Sequence, residues 1–258
     1  MILCIDVGNS QIYCGICTAE ATTKIRFRYP SKRDVTSDQL GVFFCGALRE
    51  NGIDPKDIKK IAICSVVPQL DYSLRSACKK YLNNIEPFFL LPHAEHGLAI
   101  QYRQPEELGA DRLANAIAAV KHYPHKNIIV VDFGTATTFC AISAAKEYLG
   151  GAIMPGIRTA MEALYNRTAK LSPVEIIQPE QATGVSTIEG IQAGLYYSQL
   201  GACKEIIKHL ISENFKEEEA PVILGTGGFS HLFRTETFFT TTLPDLVLDG
   251  LLIALHLN

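Results

Sequence analysis

The sequence has no excess of positive charge. Its formal net charge is -3, and no Lys/Arg stripe interleaved with aromatics runs along it, which disfavours a nucleic-acid grip built from bulk charge. A small-molecule partner is the better expectation. The chain also lacks any apolar run near the roughly 20 residues that cross a bilayer as a helix, so no membrane span is expected. Met1 to Ile5 run directly into a turn at Asp6, which reads as a structural strand rather than a charged leader. No signal peptide is expected. Low-complexity segments are absent, and so is the Gly-x-x-x-x-Gly-Lys-Ser/Thr phosphate loop. What is present is an ordinary globular composition, 47% hydrophobic and 20% charged over 258 residues. That length allows one large domain or two medium ones with buried cores.

The eight cysteines (Cys4, Cys14, Cys17, Cys45, Cys64, Cys78, Cys140 and Cys203) lie mostly within apolar patterns, where free thiols act as small hydrophobes. A reducing, cytoplasmic setting follows. Cys14 and Cys17, three apart on an expected strand, point to opposite faces and make a poor metal or redox pair. The His93/His96 and His122/His125 pairs lack acid or cysteine partners at ligand spacing and read as solvated turns.

The organising stretch is Asp132-Phe133-Gly134-Thr135-Ala136-Thr137-Thr138, which follows the apolar run Ile128-Ile129-Val130-Val131. It reads as a buried strand ending in an acid and a glycine turn, with small hydroxyl residues able to approach a phosphate. The pattern recurs at the start of the chain. Asp6-Val7-Gly8-Asn9-Ser10 through Cys17 aligns with Asp132 through Ser143, with Asp, Gly, Cys and Ile at the same offsets and an aromatic against an aromatic. One Asp-x-Gly turn is a common hairpin connection and needs no ligand. Two with matching flanks point to an internal duplication, two similar halves gripping one phosphate chain. Neither turn carries a nearby lysine, so phosphate charge would fall to backbone amides, hydroxyls and bound cations anchored by Asp6 and Asp132.

Along the chain, Ile12 to Ile16 and Ile25 to Tyr29 read as strands, and Ser37 caps a helix from about Asp38 to Glu50. Residues 60–67 form a buried strand and Pro68 opens a helix toward Tyr81. A helix continues from Asp111-Arg112 through Val120, and another covers about Thr159 to Tyr165. Ser186 and Glu189 suit a capping box before a long helix to about Ser212. Glu213 to Ala220 reads as a solvated connector, Pro221 to Leu224 as a strand feeding Gly225-Thr226-Gly227-Gly228, and Asp245 to Leu257 as an apolar-faced helix. Alternating strands and helices imply a parallel layer. Asp111 and Arg112 by themselves read more readily as a first-turn acid and its solvated neighbour than as a site.

Taken together, Asp6-Val7-Gly8-Asn9-Ser10, Tyr102-x-x-Pro105-x-x-Leu108-Gly109-x-Asp111-Arg112, the Asp132 to Thr138 stretch, Gly150-Gly151 with Pro155-Gly156, and Thr183-Gly184-x-Ser186-Thr187 resemble, in order, the motifs of type III pantothenate kinases. The resemblance spans nearly the whole chain. It implies an α/β, duplicated actin-like (ribonuclease H-like) two-domain fold with a central cleft, of the acetate and sugar kinase/Hsp70/actin superfamily. The expected halves are 1–112 and 113–258, with the C-terminal helix 245–258 packing near the first.

The activity implied is ATP-dependent phosphorylation of the primary hydroxyl of pantothenate, the first step toward coenzyme A. By motif, Asp111 resembles the general base, and Tyr102, Gly109, Ala110 and Arg112 the pantothenate-binding set, with Arg112 suited to its carboxylate. Asp6, Val7, Gly8, Asn9 and Ser10 would handle phosphate and magnesium, Gly134, Thr135, Thr138 and Gly227 the nucleotide, and Asp132 a potassium or ammonium ion. Members are homodimers, and Thr183 resembles the threonine that reaches the partner's substrate site. Two positions depart from the pattern: Cys140 stands where many members carry an acid, and Gly225 precedes the last glycine turn. The alternative readings are a regulatory accessory protein of the same family, disfavoured by an intact Asp111, and an actin-like kinase for another small acceptor.

Overall fold

The computed structural model describes residues 1–18, 25–216 and 220–258; residues 217–219, in the middle of the expected acidic connector, lie outside them. In chain order the elements are β1 (Ile2–Val7), β2 (Gln11–Cys17), β3 (Ile25–Pro30), α1 (Ser37–Glu50), β4 (Lys60–Ser65), α2 (Pro68–Tyr81) and β5 (Phe88–Phe89). Next come β6 (Ala99–Ile100), α3 (Ala110–His122), β7 (Ile128–Phe133), β8 (Ala136–Ile142), β9 (Glu147–Pro155) and α4 (Ile157–Arg167). The chain closes with α5 (Thr187–Asn214), β10 (Val222–Thr226), β11 (Thr241–Thr242) and α6 (Leu246–Leu257). Two compact units divide it. One holds Met1–Leu98, Tyr102–Ala118 and Asp245–Asn258; the other holds Ala99–Gln101 and Ala119–Pro244.

In the first unit a five-stranded sheet runs in the order β3-β2-β1-β4-β5, with β1 antiparallel to β2 and parallel to β4. Strand alternation sends Leu3, Ile5 and Val7, Ile12, Cys14 and Ile16, and Ile61 and Ile63 to one face, where they pack with Leu40, Phe44 and Leu48 of α1 and Leu70 and Leu74 of α2. Burying each such side chain stabilises the fold by about 1.5–3 kcal/mol. Helix α6 packs against β1 and β4. It buries Leu246, Leu248, Leu251, Leu252 and Leu255, and its entry is held by Asp245, which accepts from the Tyr13 hydroxyl at 2.5 Å and pairs with Arg26.

The first helix begins differently from its sequence reading. Thr36, not Ser37, is the cap: its hydroxyl accepts from the Gln39 N–H at 3.3 Å while Gln39 Oε1 accepts from the Thr36 N–H at 2.9 Å. Gln39 stands three residues after Thr36, so only that choice closes the reciprocal box, worth about 1 kcal/mol.

The second unit carries a six-stranded sheet ordered β11-β10-β7-β8-β9-β6. Read from β9 to β11, it repeats the first sheet from β3 to β5 in order and in strand sense: antiparallel, antiparallel, parallel, parallel. This is the internal duplication expressed as topology, with β6 an addition parallel to β9. Leu195, Tyr196, Leu200 and Cys203 of the 28-residue α5 cover Ile129, Val131, Phe133 and Phe139. Phe233 stacks on Phe133 and Tyr196, with centroids at 4.7 and 5.1 Å.

Four helix ends differ from the sequence reading. Ser186 caps α5, but Glu189 reaches the Val185 N–H at 2.7 Å rather than that of Ser186, so the box is shifted by one residue. Helix α5 continues to Asn214, into the segment read as connector, because Leu210 still faces the core one turn before the end. Helix α4 spans Ile157–Arg167, longer at both ends than the expected 159–165, with Gly156 as its cap and Ile157 buried beneath it.

All eight cysteines are buried and free. Cys14 and Cys17 do face apart. Cys14 joins the core with α1 and α2, whereas Cys17 lies 3.9 Å from Cys4, sulfur to sulfur.

Candidate active site

In the first unit, Asp6 is the next-to-last residue of β1, and its in-register neighbours are Tyr13 on β2 and Cys64 on β4. Cys64 Sγ donates to Asp6 Oδ1 at 3.3 Å. Burial first, then the charges of Asp6 and Asp111, push the Cys64 thiol well above its ordinary range. It therefore stays protonated and serves as a donor. Both acids lie within electrostatic reach of this one sulfur. The turn after Asp6 is closed by Gly8 N–H to the Gln11 carbonyl at 3.1 Å, with Asn9 and Ser10 exposed at its tip. Val7 points into the core, and its carbonyl accepts from Val66, so any ligand role it has is through backbone.

Asp111 stands in the first turn of α3. Its Oδ1 accepts from the Arg112 N–H at 2.7 Å. Burial raises the Asp111 carboxyl above its ordinary value, against the lowering effects of the Arg112 N–H and the Arg112 charge. Arg112 Nη1 donates to the Tyr102 hydroxyl at 2.9 Å, and its guanidinium carbon is 5.8 Å from the Tyr102 ring centroid. Gly109 sits so close that a Cβ there would come to 2.6 Å of Asp111 Oδ1. Gly109, Ala110, Asp111, Arg112 and Tyr102 are therefore brought together in one unit with Asp6, as the motif spacing suggested. Thr183 is exposed in the second unit, on the irregular segment three residues before the Ser186 cap.

In the second unit, Asp132 is the next-to-last residue of β7, with Thr138 and Thr226 as its in-register neighbours on β8 and β10. Of the two adjacent threonines, Thr138 shares the face of Asp132. Thr137 faces inward and donates to Gln199, whose amide holds the Pro155 carbonyl, making it an internal strut. Gly227 has φ +88, and a Cβ there would overlap Asp132 Oδ1 and the Phe133 amide. Only glycine meets both conditions. The Gly134 turn is closed onto the Ala136 carbonyl at 3.1 Å, and the Thr135 carbonyl accepts from the Gly156 N–H at 3.1 Å and the Thr159 hydroxyl at 2.7 Å. Gly156 touches Gly134 and Thr135 so closely that any side chain would clash with their carbonyls.

The residue types around Asp132 suit a hard cation. The Asp132 carboxylate, with Thr138 and Thr226 opposite it in register, offers oxygen donors of the hard kind. Among the described residues no three His, Cys, Asp or Glu side chains cluster. A soft-metal or zinc centre is not what this donor set offers. Asp6, a lone carboxylate at a phosphate-sized turn, suits magnesium, which characteristically takes one or two carboxylates and completes its shell with water and phosphate.

Sequence reasoning missed two neighbours of these turns. Cys64 was read only as part of a strand, and its register opposite Asp6 is set by the pairing of β4 with β1 across 58 residues. Arg158 was not singled out, yet it stands between Gly156 and Thr159, both fastened to Thr135.

The type III pantothenate kinase family profile matches residues 2–209. A type III pantothenate kinase of Legionella pneumophila (strain Paris) is 56% identical over 258 residues, covering 100% of this chain and 99% of its own length. Type III pantothenate kinase 1 of Francisella tularensis subsp. holarctica (strain OSU18) is 49% identical and is matched over 100% of both chains. Among solved structures, a Sinorhizobium meliloti protein described as a 2-dehydro-3-deoxygalactonokinase superposes with a TM-score of 0.60 at 12% identity, covering 99% of this chain and 96% of that one. At that identity the likeness concerns the fold alone, which is the duplicated actin-like one. By profile, by full-length identity and by the grouping of its motifs, this chain belongs to the type III pantothenate kinase family.

Proposed function

We propose that the chain transfers the terminal phosphoryl group of ATP to the primary hydroxyl of pantothenate, forming 4′-phosphopantothenate, the first step of coenzyme A synthesis. The observation that carries this reading is the Asp111–Arg112–Tyr102 group: consecutive residues present a carboxylate of raised pKa and a guanidinium already oriented by a phenol. Arg112 and Tyr102 bind the substrate carboxylate, with Gly109 and Ala110 lining the same site. Asp111 accepts the hydroxyl proton as the oxygen attacks phosphorus, a task helped by a carboxyl more basic than usual.

Asp6, with Gly8, Asn9 and Ser10, holds magnesium and phosphate; Gly134, Thr135, Thr138 and Gly227 line the nucleotide phosphates; Asp132 holds potassium or ammonium. These cations supply the charge compensation that phosphoryl transfer needs when bound. A homodimer is supported by the surface of α4 and α5. An apolar cavity of about 790 Å³ there is lined by Ala160, Leu164, Gly190, Ile191 and Gly194, with Val185 and Ile188 exposed nearby. Thr183, just before this surface, is assigned to the partner's pantothenate site. Eight free buried thiols suit the cytoplasm, and no helix of the described residues is long and apolar enough to cross a membrane.

The test is ADP release from purified protein with ATP, magnesium and pantothenate, comparing potassium or ammonium with sodium. Turnover that requires pantothenate and is strongest with potassium or ammonium is the expected result. ADP release indifferent to pantothenate would overturn the acceptor assignment, and equal rates in sodium the cation assignment.

A further inference from the structure

The glycine turn after Asp132 has no basic residue within it, yet the fold delivers one. Arg158 is the second residue of α4, and the residues on both sides of it are fastened to that turn: Gly156 N–H and Thr159 Oγ1 both donate to the Thr135 carbonyl, at 3.1 and 2.7 Å. Its exposed guanidinium lies over the ring of Phe229, 5.5 Å from the centroid. Phe229 belongs to the last glycine turn, and its N–H donates to the Phe133 carbonyl at 3.2 Å, so the ring is tied to the same β7 end. His231 continues the shelf, 6.5 Å from the Phe229 ring at 28°. Among the described residues no carboxylate pairs with Arg158.

We propose that Arg158 is this chain's own cationic contact to the polyphosphate of the nucleotide, and that Phe229 is the positioning residue that aims it. The proposal rests on the reading that a nucleoside triphosphate is the donor. A guanidinium matches phosphate oxygens in a two-pronged geometry that no other side chain offers. At the first turn of α4 it adds to the free amides and the helix dipole, both of which favour anions. The guanidinium rests on one face of the partly buried Phe229 ring, which holds the cation in place for an anionic group. The same contact supplies charge that the two glycine turns lack.

The experiment uses the full-length protein and its variants R158A, R158K and F229L, with ATP, GTP, ADP and AMP as magnesium-containing probes. In R158A the KM for ATP rises about tenfold, that for GTP rises by the same factor, and the KM for pantothenate stays at its wild-type value. R158K recovers part of the loss, and F229L weakens ATP in the same direction by a smaller factor. AMP binding changes least. An unchanged ATP KM in R158A overturns the proposal, and a loss much larger for ATP than for GTP overturns it in favour of base recognition. Calorimetry with ADP keeps this test separate from the pantothenate reading. If wild type binds ADP but does not turn over pantothenate, about tenfold weaker ADP binding by R158A still supports the proposal, and equal binding overturns it.

Discussion

The two sheets are the same design with different fittings. Both place a central strand with an acid one residue from its end, an antiparallel hairpin on one side and a parallel strand on the other. In the first, the acid Asp6 meets the thiol of Cys64, and the chain leaves that level through Ser65 into α2. In the second, Asp132 meets Thr226 in register, and the chain leaves through Gly227, packed so tightly on the carboxylate and on Phe133 that any side chain would collide with them. Topology has been kept where it builds the core. The residues have diverged at the strand ends, Cys64 and Ser65 in one half against Thr226 and Gly227 in the other. The first half carries the buried Asp111 beside Arg112 and Tyr102, and the second a shelf of Arg158 and Phe229.

The largest effect that would sharpen this contrast is at Asp111, which has no counterpart in the second half. Asp111→Asn keeps the shape and the Arg112 contact but removes the proton acceptor, so kcat falls by about 10³-fold or more while ADP binding, measured by calorimetry, persists. On the proposed mechanism, Asp111 acts as the base only when ionised. Its pKa is raised, so kcat/KM against pH falls on the acid side at a pH above the ordinary carboxylate value of 3.8. Loss of ADP binding together with turnover would mark Asp111 as structural and break the division of labour between halves.

A second comparison sets Gly227 against its topological equivalent, Ser65. Gly227→Ala strains a residue at φ +88 and drives a methyl into Asp132, which destabilises the fold by about 2–3 kcal/mol and removes potassium activation. Ser65→Ala loses a hydroxyl that accepts from the Val67 N–H at 3.2 Å and also hydrogen-bonds the Asp71 side chain, costing about 1–2 kcal/mol. Denaturant melts with and without potassium measure both; equal losses would mean that the second turn is not specially fitted around Asp132.

The smallest expected effect concerns the thiol under Asp6. Cys64→Ala removes the donor to Asp6 Oδ1, and activity falls about fivefold, with more magnesium needed for half-maximal rate, as befits a hydrogen bond worth about 1 kcal/mol. Cys64→Ser restores a donor and most of the rate. If alanine and serine behave alike in magnesium titrations, the sulfur is only filler, and the two halves differ less than their geometry suggests.

Much of this was readable in advance because short-range patterns carried it. The two Asp-x-Gly turns with matching flanks announced the duplication, since a strand ending in an acid and a tight turn is a local event. The Leu108-Gly109-x-Asp111-Arg112 run placed carboxylate and guanidinium together because neighbours on one helical turn cannot drift apart. Other features were local yet misread by one residue. Thr36 rather than Ser37 caps α1, because the choice depends on which hydroxyl finds Gln39.

The sequence by itself determined the repeated strand-turn-strand unit, the acids at its ends and the family. Each depends on residues within a few positions of one another, whose relative geometry the backbone sets. Only the tertiary structure decided that Cys64 lies against Asp6, that Cys17 meets Cys4 rather than Cys14, and that Arg158 and Phe229 flank the second turn. Those partners are far apart along the chain and are joined by sheet pairing and helix docking. Such contacts arise from burying whole faces together, and no spacing rule within a single segment contains them.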